Sequence, residues 1–326
     1  MKLNILPVEG LTYNQTMDYE LRQWENHTYK WSTHADHVTD GKKGTAYQGF
    51  SKTENINSEG YFNYINSFDK HNINATLGYS YYEYNNEGFN MTNYDFPVEA
   101  TAVWDIGTGM YNKLGQASMS SSKAITQKLM SYFARVNYDY DGKYIVSASF
   151  RRESSSKFAK NNRWGNFWSV SAGWRISVEL WMENVSWIDD LKLRAAYGVT
   201  GNSDFSASYA SMSYGSDGYF MMPASGNYAI AYGPAVTLNP SLKWEEQRGW
   251  NFGLDFSLFD NRLYGKFDWY SRKVVDMLFS VSVPQPPYAL TSRMENIGSL
   301  RNMGWEFEIG ADIVRNKDWN YSTNFI

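Results

Sequence analysis

The stretch QKLMSYFARVNYDYDGKYIVSASFRRESSSKFAKNNRWGNFWSVSAGWRIS, Gln127 to Ser177, decides the fold. In its first run Met130, Tyr132, Ala134, Val136, Tyr138 and Tyr140 share one parity, while Ser131, Arg135, Asn137 and Asp139 take the other. A period of two places the apolar set on one face of a β-strand and the polar set on the opposite face. Asp141-Gly142 follows, two residues that tolerate positive φ, and predicts a tight hairpin. The alternation resumes with Tyr144, Val146, Ala148 and Phe150 against Ser147, Ser149 and Arg151. A third run sets Trp168, Val170, Ala172, Trp174 and Ile176 against Ser169, Ser171, Gly173 and Arg175. Three antiparallel strands are expected, each with one apolar face that must meet an apolar medium.

The same pattern recurs along the chain. Leu11 to Leu21, Ile73 to Tyr81, Leu191 to Val199, Trp250 to Leu258, Leu263 to Trp269 and Trp305 to Ile313 alternate, Ala46 to Phe68 is a longer strand candidate clearest at Phe62, Tyr64 and Phe68, and a last run starts after Asp318. With the end of a strand at Met1 to Leu6, this makes about eleven strands, an all-β antiparallel chain. Connections at 7 to 10, 69 to 70, 141 to 142, 177 to 190, 260 to 261 and 315 to 318 are short or medium, whereas those at 22 to 45, 85 to 126, 153 to 165, 201 to 243 and 276 to 293 are longer. Successive connections of an up-and-down sheet fall on opposite edges, so one edge receives turns and the other loops. That asymmetry is the outer-membrane barrel signature, with short periplasmic turns and long extracellular loops.

Composition agrees. Tyr 26, Trp 13 and Phe 18 give 17% aromatics against only 8 Pro in 326 residues, which suits strands. A mean hydropathy of -0.55 does not oppose a membrane barrel, whose lumen and loops are wet. The opening MKLNILPVEG lacks a signal-peptide apolar core, and no run approaches the ~18 apolar residues of a helical span. A net charge of -4 without a dense basic run argues against nucleic acid. Zero Cys removes disulfides, thiol nucleophiles and zinc ribbons. A soluble or surface-attached β-sandwich, a carbohydrate-binding module, would alternate as well. Tyr and Trp on the apolar parity, at Tyr138, Tyr140 and Tyr144 around the turn and at Trp250 and Trp305 near strand ends, favour interfacial girdles.

Chemistry-bearing motifs are sparse. His34-x-x-His37 with Asp36 has no fourth ligand in its pattern and reads as a solvated loop. Asp139-x-Asp141-Gly142 lacks the remaining ligands of a calcium loop. Gly107-x-Gly109 has no strand-to-helix context, and no Gly-x-Ser-x-Gly elbow occurs. No catalytic residue, metal or cofactor is expected. Ligand contacts are expected from loop aromatics, which stack on apolar ligand faces and hydrogen-bond through their tips: Trp24, Trp31, Trp104, Tyr111, Tyr209, Tyr214, Tyr219, Phe220, Tyr228 and Tyr232. The competing reading is that such aromatics pack on each other to rigidify the mouth.

Six stretches in order, YDGKYIVSASFRRESSSKF (140 to 158), NNRWGNFWSVSAGWRIS (161 to 177), LKLRAAYGVTGN (191 to 202), NPSLKWEE (239 to 246), FDNRLYGKFDWYSRKVVDML (259 to 278) and NIGSLRNMGWEFEI (296 to 309), resemble the barrel of TonB-linked outer-membrane receptors of the SusC/RagA type from Bacteroidota. Glu153 and Ser154 stand where that family usually has Asp-Gly, and Trp168 where it often has Pro. The resemblance implies a section of an antiparallel up-and-down transmembrane barrel, 1 to 326, lacking the plug domain and the closing C-terminal strands of a ~22-stranded barrel. It implies uptake of a glycan or oligopeptide, a SusD-like surface lipoprotein as partner, energisation by the TonB complex through N-terminal parts outside this chain, and contact with outer-membrane lipid. Such an incomplete wall is expected not to form a conducting pore alone, because two open sheet edges are not tolerated in hydrocarbon.

Overall fold

The computed structural model describes residues 2–4, 8–113, 116–123, 126–205, 214–221, 228–234, 237, 239–286, 288 and 290–325. The strands are β1 (Lys2–Asn4), β2 (Leu11–Lys30), β3 (Thr45–Phe68), β4 (His71–Tyr94), β5 (Ser118–Lys123) and β6 (Gln127–Tyr140). They continue as β7 (Tyr144–Ser155), β8 (Trp164–Arg175), β9 (Ile188–Asn202), β10 (Tyr214–Met221), β11 (Tyr228–Pro234) and β12 (Glu245–Leu258). The last are β13 (Leu263–Val275), β14 (Leu278–Ser282), β15 (Ser292–Asn296), β16 (Ser299–Arg315) and β17 (Asn320–Phe325). Thirteen form one sheet in the order β1-β2-β3-β4-β6-β7-β8-β9-β12-β13-β16-β17, with β5 paired to β4. Sequence neighbours pair, and the order does not close, as expected of an incomplete up-and-down barrel. β10–β11 and β14–β15 make two separate hairpins in connections expected as longer loops.

The chain forms two compact units, one of residues 1–16, 58–81 and 129–326, the other of residues 17–57 and 82–128. In the first, the opening stretch folds as read. β6 and β7 pair from Leu129↔Ser155 to Tyr140↔Tyr144, and Asp141 and Gly142 take φ of 57° and 64°, the left-handed pair of a type I′ hairpin. Short turns knit along one edge: Asp141 N–H donates to Lys70 O at 2.8 Å, Phe259 N–H to Trp187 O at 2.9 Å, and Asp312 N–H to Arg262 O at 2.7 Å.

The apolar parity of this sheet is exposed, at Val146, Val170, Leu193, Trp250, Phe252, Trp305 and Phe307 among others. No second sheet covers it among the described residues, which removes the sandwich alternative. Aromatics mark two levels on that face. Tyr140 and Tyr144, and Trp187 with Phe259, sit at the turn edge. Farther along, Trp168, Tyr197, Trp250, Phe252, Trp269 and Trp305 contact one another in series. This corrects one expectation: Trp250 and Trp305 lie inside β12 and β16, not near their ends. From Phe259 back to Trp250 is 259 − 250 = 9 residues, about 30 Å of strand and, at a ~35–45° tilt, about 21 to 24 Å of membrane thickness. The girdle marks where hydrocarbon ends, and the strand continues past it.

The second unit corrects the expected loops at 22 to 45 and 85 to 126. β2 continues to Lys30 and β4 to Tyr94, and β3 and β4 reach 24 residues each, twice the ~9–11 that a membrane crossing needs. Where both faces are wet, apolar alternation is not required, and cross-strand polar pairs accompany the ladder instead. Asn55 donates to Glu20 at 2.7 Å, Tyr19 to Glu54 at 2.8 Å, and Asn86 to Thr53 at 2.9 Å. A small core of Ala46, Phe96 and Ala102, packed by Tyr29 and Ile106, closes this unit.

Candidate functional site

On the polar face of the wall, several charged groups are paired across strands. Register places Arg194 of β9 opposite Gly253 and Gly253 opposite Asp268. The Arg194 guanidinium donates twice to Asp255, at 2.8 Å each, and to Asp268 at 3.1 Å. The fork geometry of arginine makes the first contact bidentate. Lys266 meets Glu308 at 2.6 Å and Arg175 meets Asp190 at 2.6 Å. Ser149 and Ser169 share a hydrogen bond at 2.7 Å, as do Ser80 and Ser131. This surface is wettable, suited to lining a passage. A concavity of about 680 Å3 is on the opposite side, where Tyr144, Val146, Trp174, Leu193, Phe252 and Trp305 line it. Those side chains carry the apolar parity, so it is a lipid-facing trough and not a ligand site.

Among the described residues, Trp24, Trp31, Trp104 and Tyr111 make no ring contact with one another. Trp24 lies in β2, 62% exposed, beside a cleft between β2, β3 and β4. Trp31 is edge-on to Tyr29 at 5.3 Å, and Trp104, 76% exposed, faces His27 at 5.6 Å. Tyr111 is edge-on to Tyr94 at 5.0 Å, with the Lys42 ammonium 3.6 Å from the Tyr94 ring centre. Tyr209 lies outside the described residues. Tyr214, Tyr219 and Phe220 fall in β10 and Tyr228 and Tyr232 in β11, with Met221 paired to Tyr228 and Ser216 to Tyr232; their side chains lie outside the description.

The histidine motif departs from the solvated loop expected of it, since Asp36–Asp40 forms one helical turn. His37 is buried, with Nδ1 3.1 Å from Asp40 Oδ1 and Nε2 3.4 Å from Thr45 Oγ1, and its ring meets that of His34 edge-on. The Lys30 ammonium, 2.6 Å from Asp36, holds that carboxyl below its ordinary range. Asp40 is held down by the Lys42 backbone N–H and then by His37. No group of three or more metal-ligating side chains occurs among the described residues.

Sequence reasoning missed a different cluster. Phe158, Phe167, Val199, Phe205, Leu242 and Trp244 form a buried core beside the long connections. Trp244 is 6% exposed and donates its indole N–H to Arg163 O at 3.0 Å. Asn239 donates to Met294 O at 2.9 Å, and Asn296 both donates to Lys243 O and accepts from Lys243 N–H at 2.8 Å. Asn202 donates to Glu245 at 3.1 Å. Gly201 is required here, because a Cβ would lie 2.0 Å from the Phe167 ring. All six stretches that carry the family resemblance thus meet in one knot: SSSKF, NNRWG, VTGN, NPSLKWEE, NIG and, through Leu278, VVDML. These motifs brace the loop edge. Their sequence signal was the recurrence of Trp, Asn and Gly at loop borders rather than within strands.

An uncapped antiparallel wall with one exposed apolar face, aromatic levels about one hydrocarbon thickness apart and a polar face of matched charges defines a section of membrane β-barrel. Residues 7–326 match the family model described as TonB dependent receptor-like, beta-barrel, and the chain belongs to that family. It is 32% identical over 321 residues to TonB-dependent receptor P39 of Formosa agariphila, covering 97% of this chain and 29% of that protein. It is 31% identical over 273 residues to TonB-dependent receptor SusC of Bacteroides thetaiotaomicron, covering 83% and 26%. Among solved structures, the RagAB peptide transporter superposes with a TM-score of 0.81 at 26% identity, over 98% of this chain and 35% of that one. The chain spans about a third of the length of these relatives.

Proposed function

We propose that this chain is the wall and outer loop region of an outer-membrane, TonB-dependent nutrient importer. A longer receptor of this kind would hold its plug inside the barrel, draw energy through the TonB complex, and work with a SusD-like surface lipoprotein. The cargo class is a glycan or an oligopeptide. The observation that carries this reading is the two-faced wall, with an exposed apolar band between aromatic levels and Arg194 held between Asp255 and Asp268 on the other face. Similarity to SusC and to the RagAB peptide transporter supports it. Relatives named as receptors support a binding and transport role. Alone, with β1 and β17 as open edges, the chain would not conduct.

The test is uptake by cells. Deleting the gene should abolish growth on one polysaccharide or peptide source, and deleting TonB should reproduce that loss. Growth unchanged on every source, or uptake independent of TonB, would sink the proposal. Recovery of the receptor in the inner-membrane or soluble fraction would do so as well.

A further inference from the structure

We propose that the cleft beside Trp24, in the unit of residues 17–57 and 82–128, is a subsite for a neutral sugar ring. This inference rests on the importer reading and commits it to an uncharged glycan.

The cleft has a volume of about 200 Å3 and is bordered by Trp24, Tyr47, Ser51, Asn86, Asn90 and Ser120. That is roughly seven water volumes, the scale of one ring. Alternation puts Tyr47, Gly49 and Ser51 on one face of β3 and Asn86, Gly88 and Asn90 on one face of β4. Asn86 joins them, donating to Ser51 Oγ at 3.4 Å and to Thr53 Oγ1 at 2.9 Å. Pairing of Asn90 with Ser120 adds β5 as the far wall. The floor is lowered at Gly49 and Gly88, which carry no side chain into the cleft. The Tyr47 ring lies across Gly49, its hydroxyl 2.7 Å from where a Cβ would stand. On the opposite face Phe50 stacks on Phe89 at 5.6 Å, stiffening the floor from behind.

Two groups here are left without a structural task. The Trp24 indole is 62% exposed and makes no ring contact or hydrogen bond among the described residues. The Asn90 amide likewise makes no side-chain hydrogen bond among them. Elsewhere in this unit the exposed indoles of Trp31 and Trp104 have ring partners.

The chemistry of the border selects the ligand. An aromatic face takes the apolar C–H face of a pyranose, and a carboxamide offers a donor and an acceptor side by side, matching vicinal hydroxyls. Among the described residues, no guanidinium, ammonium or carboxylate lines the cleft. A uronic acid, a sulfated sugar or a charged peptide side chain would therefore lose hydration without gaining a counter-charge.

The experiment is binding to the full-length receptor purified in detergent, measured by calorimetry. The probes are a panel of neutral glucan, mannan and xylan oligosaccharides, acidic oligosaccharides, and an oligopeptide mixture. At least one neutral oligosaccharide should bind. Trp24→Ala should weaken it about tenfold, the equivalent of one stacking contact. Trp24→Phe should restore most of the affinity, and Asn90→Ala should weaken it several-fold. Asn90→Ala removes no internal bond, so it serves if Trp24→Ala fails to fold; retained heat-modifiable gel mobility checks folding. No binding by any neutral probe, unchanged affinity in both alanine variants, or a peptide as the ligand lost in Trp24→Ala would each overturn the subsite. Failure of the importer reading looks different: sugar binding with no TonB-dependent uptake breaks that reading and leaves the subsite standing.

Discussion

The wall of β6 to β9 and the long ends of β2 to β4 are built from the same ladder but answer to different solvents. In the wall, the outward residues from Tyr132 to Tyr140, Tyr144 to Phe150 and Trp168 to Trp174 are apolar, and aromatics mark two levels. In the extended strands, Arg22 to Lys30 and Asn85 to Tyr94 carry polar side chains on both faces, yet the strands continue to 20 and 24 residues. The difference teaches that alternation reports the medium beside a strand and not the strand itself. Pairing needs only partners for N–H and C=O; a one-sided apolar face is needed only where hydrocarbon lies.

The largest expected effect separates a braced aromatic from an exposed one. In the full-length receptor, Trp244→Ala should cost about 3–5 kcal/mol by cavity formation, whereas Trp104→Ala should stay within about 0.5 kcal/mol. Urea unfolding of receptor reconstituted in lipid vesicles measures both, and equal costs would erase the distinction. Next, Leu193→Arg on the lipid side should cost about 2–4 kcal/mol, while Leu21→Arg, on the apolar parity of β2 but outside the hydrocarbon, should be nearly neutral. A large penalty at Leu21 would place the membrane boundary elsewhere. A smaller effect belongs to the hairpin: Gly142→Ala, at φ 64°, should cost about 1–2 kcal/mol, and Gly142→Asn less.

The smallest effect concerns pH at the turn edge. Glu179 accepts from Tyr144 Oη at 2.6 Å and from Trp174 Nε1 at 3.0 Å, and lies 3.4 Å from the Lys143 ammonium. These contacts, the tyrosine first, hold its carboxyl below the ordinary value of 4.5. The folded value is depressed, so its contribution is complete above the ordinary carboxylate range and is lost as pH falls through the lowered value. Glu179→Gln should therefore flatten the acid limb of the stability curve and leave neutral pH almost untouched. Thermal melts between about pH 3 and 7 would expose any opposite trend.

Much of the architecture was legible because β6 to β9, β12, β13 and β16 each have one face in an apolar medium, and because Asp141-Gly142 admits few alternatives. The strand tips were not legible. Nothing in Gln23 to Lys30 or Asn85 to Asn90 alternates, and what holds them is pairing to neighbours distant in sequence. The candidate aromatics were found as residues but not as a site: Trp24 was named, whereas Tyr47, Asn86 and Asn90 join it only through the pairing of β3, β4 and β5. Phe158, Phe167 and Trp244 stand in the family motifs, and their burial together depends on connections far apart in the chain.

The knot at Asn202, Asn239 and Trp244 also bears on how such a receptor can change over generations. It clamps both feet of the segment between β9 and β12, so whatever lies between starts and ends at fixed posts. Lengthening that segment costs only the slow logarithmic term of chain closure, about 0.6 kcal/mol per doubling, and disturbs no register in the wall. New surface specificity can therefore be acquired by insertion there without renegotiating the membrane-embedded part.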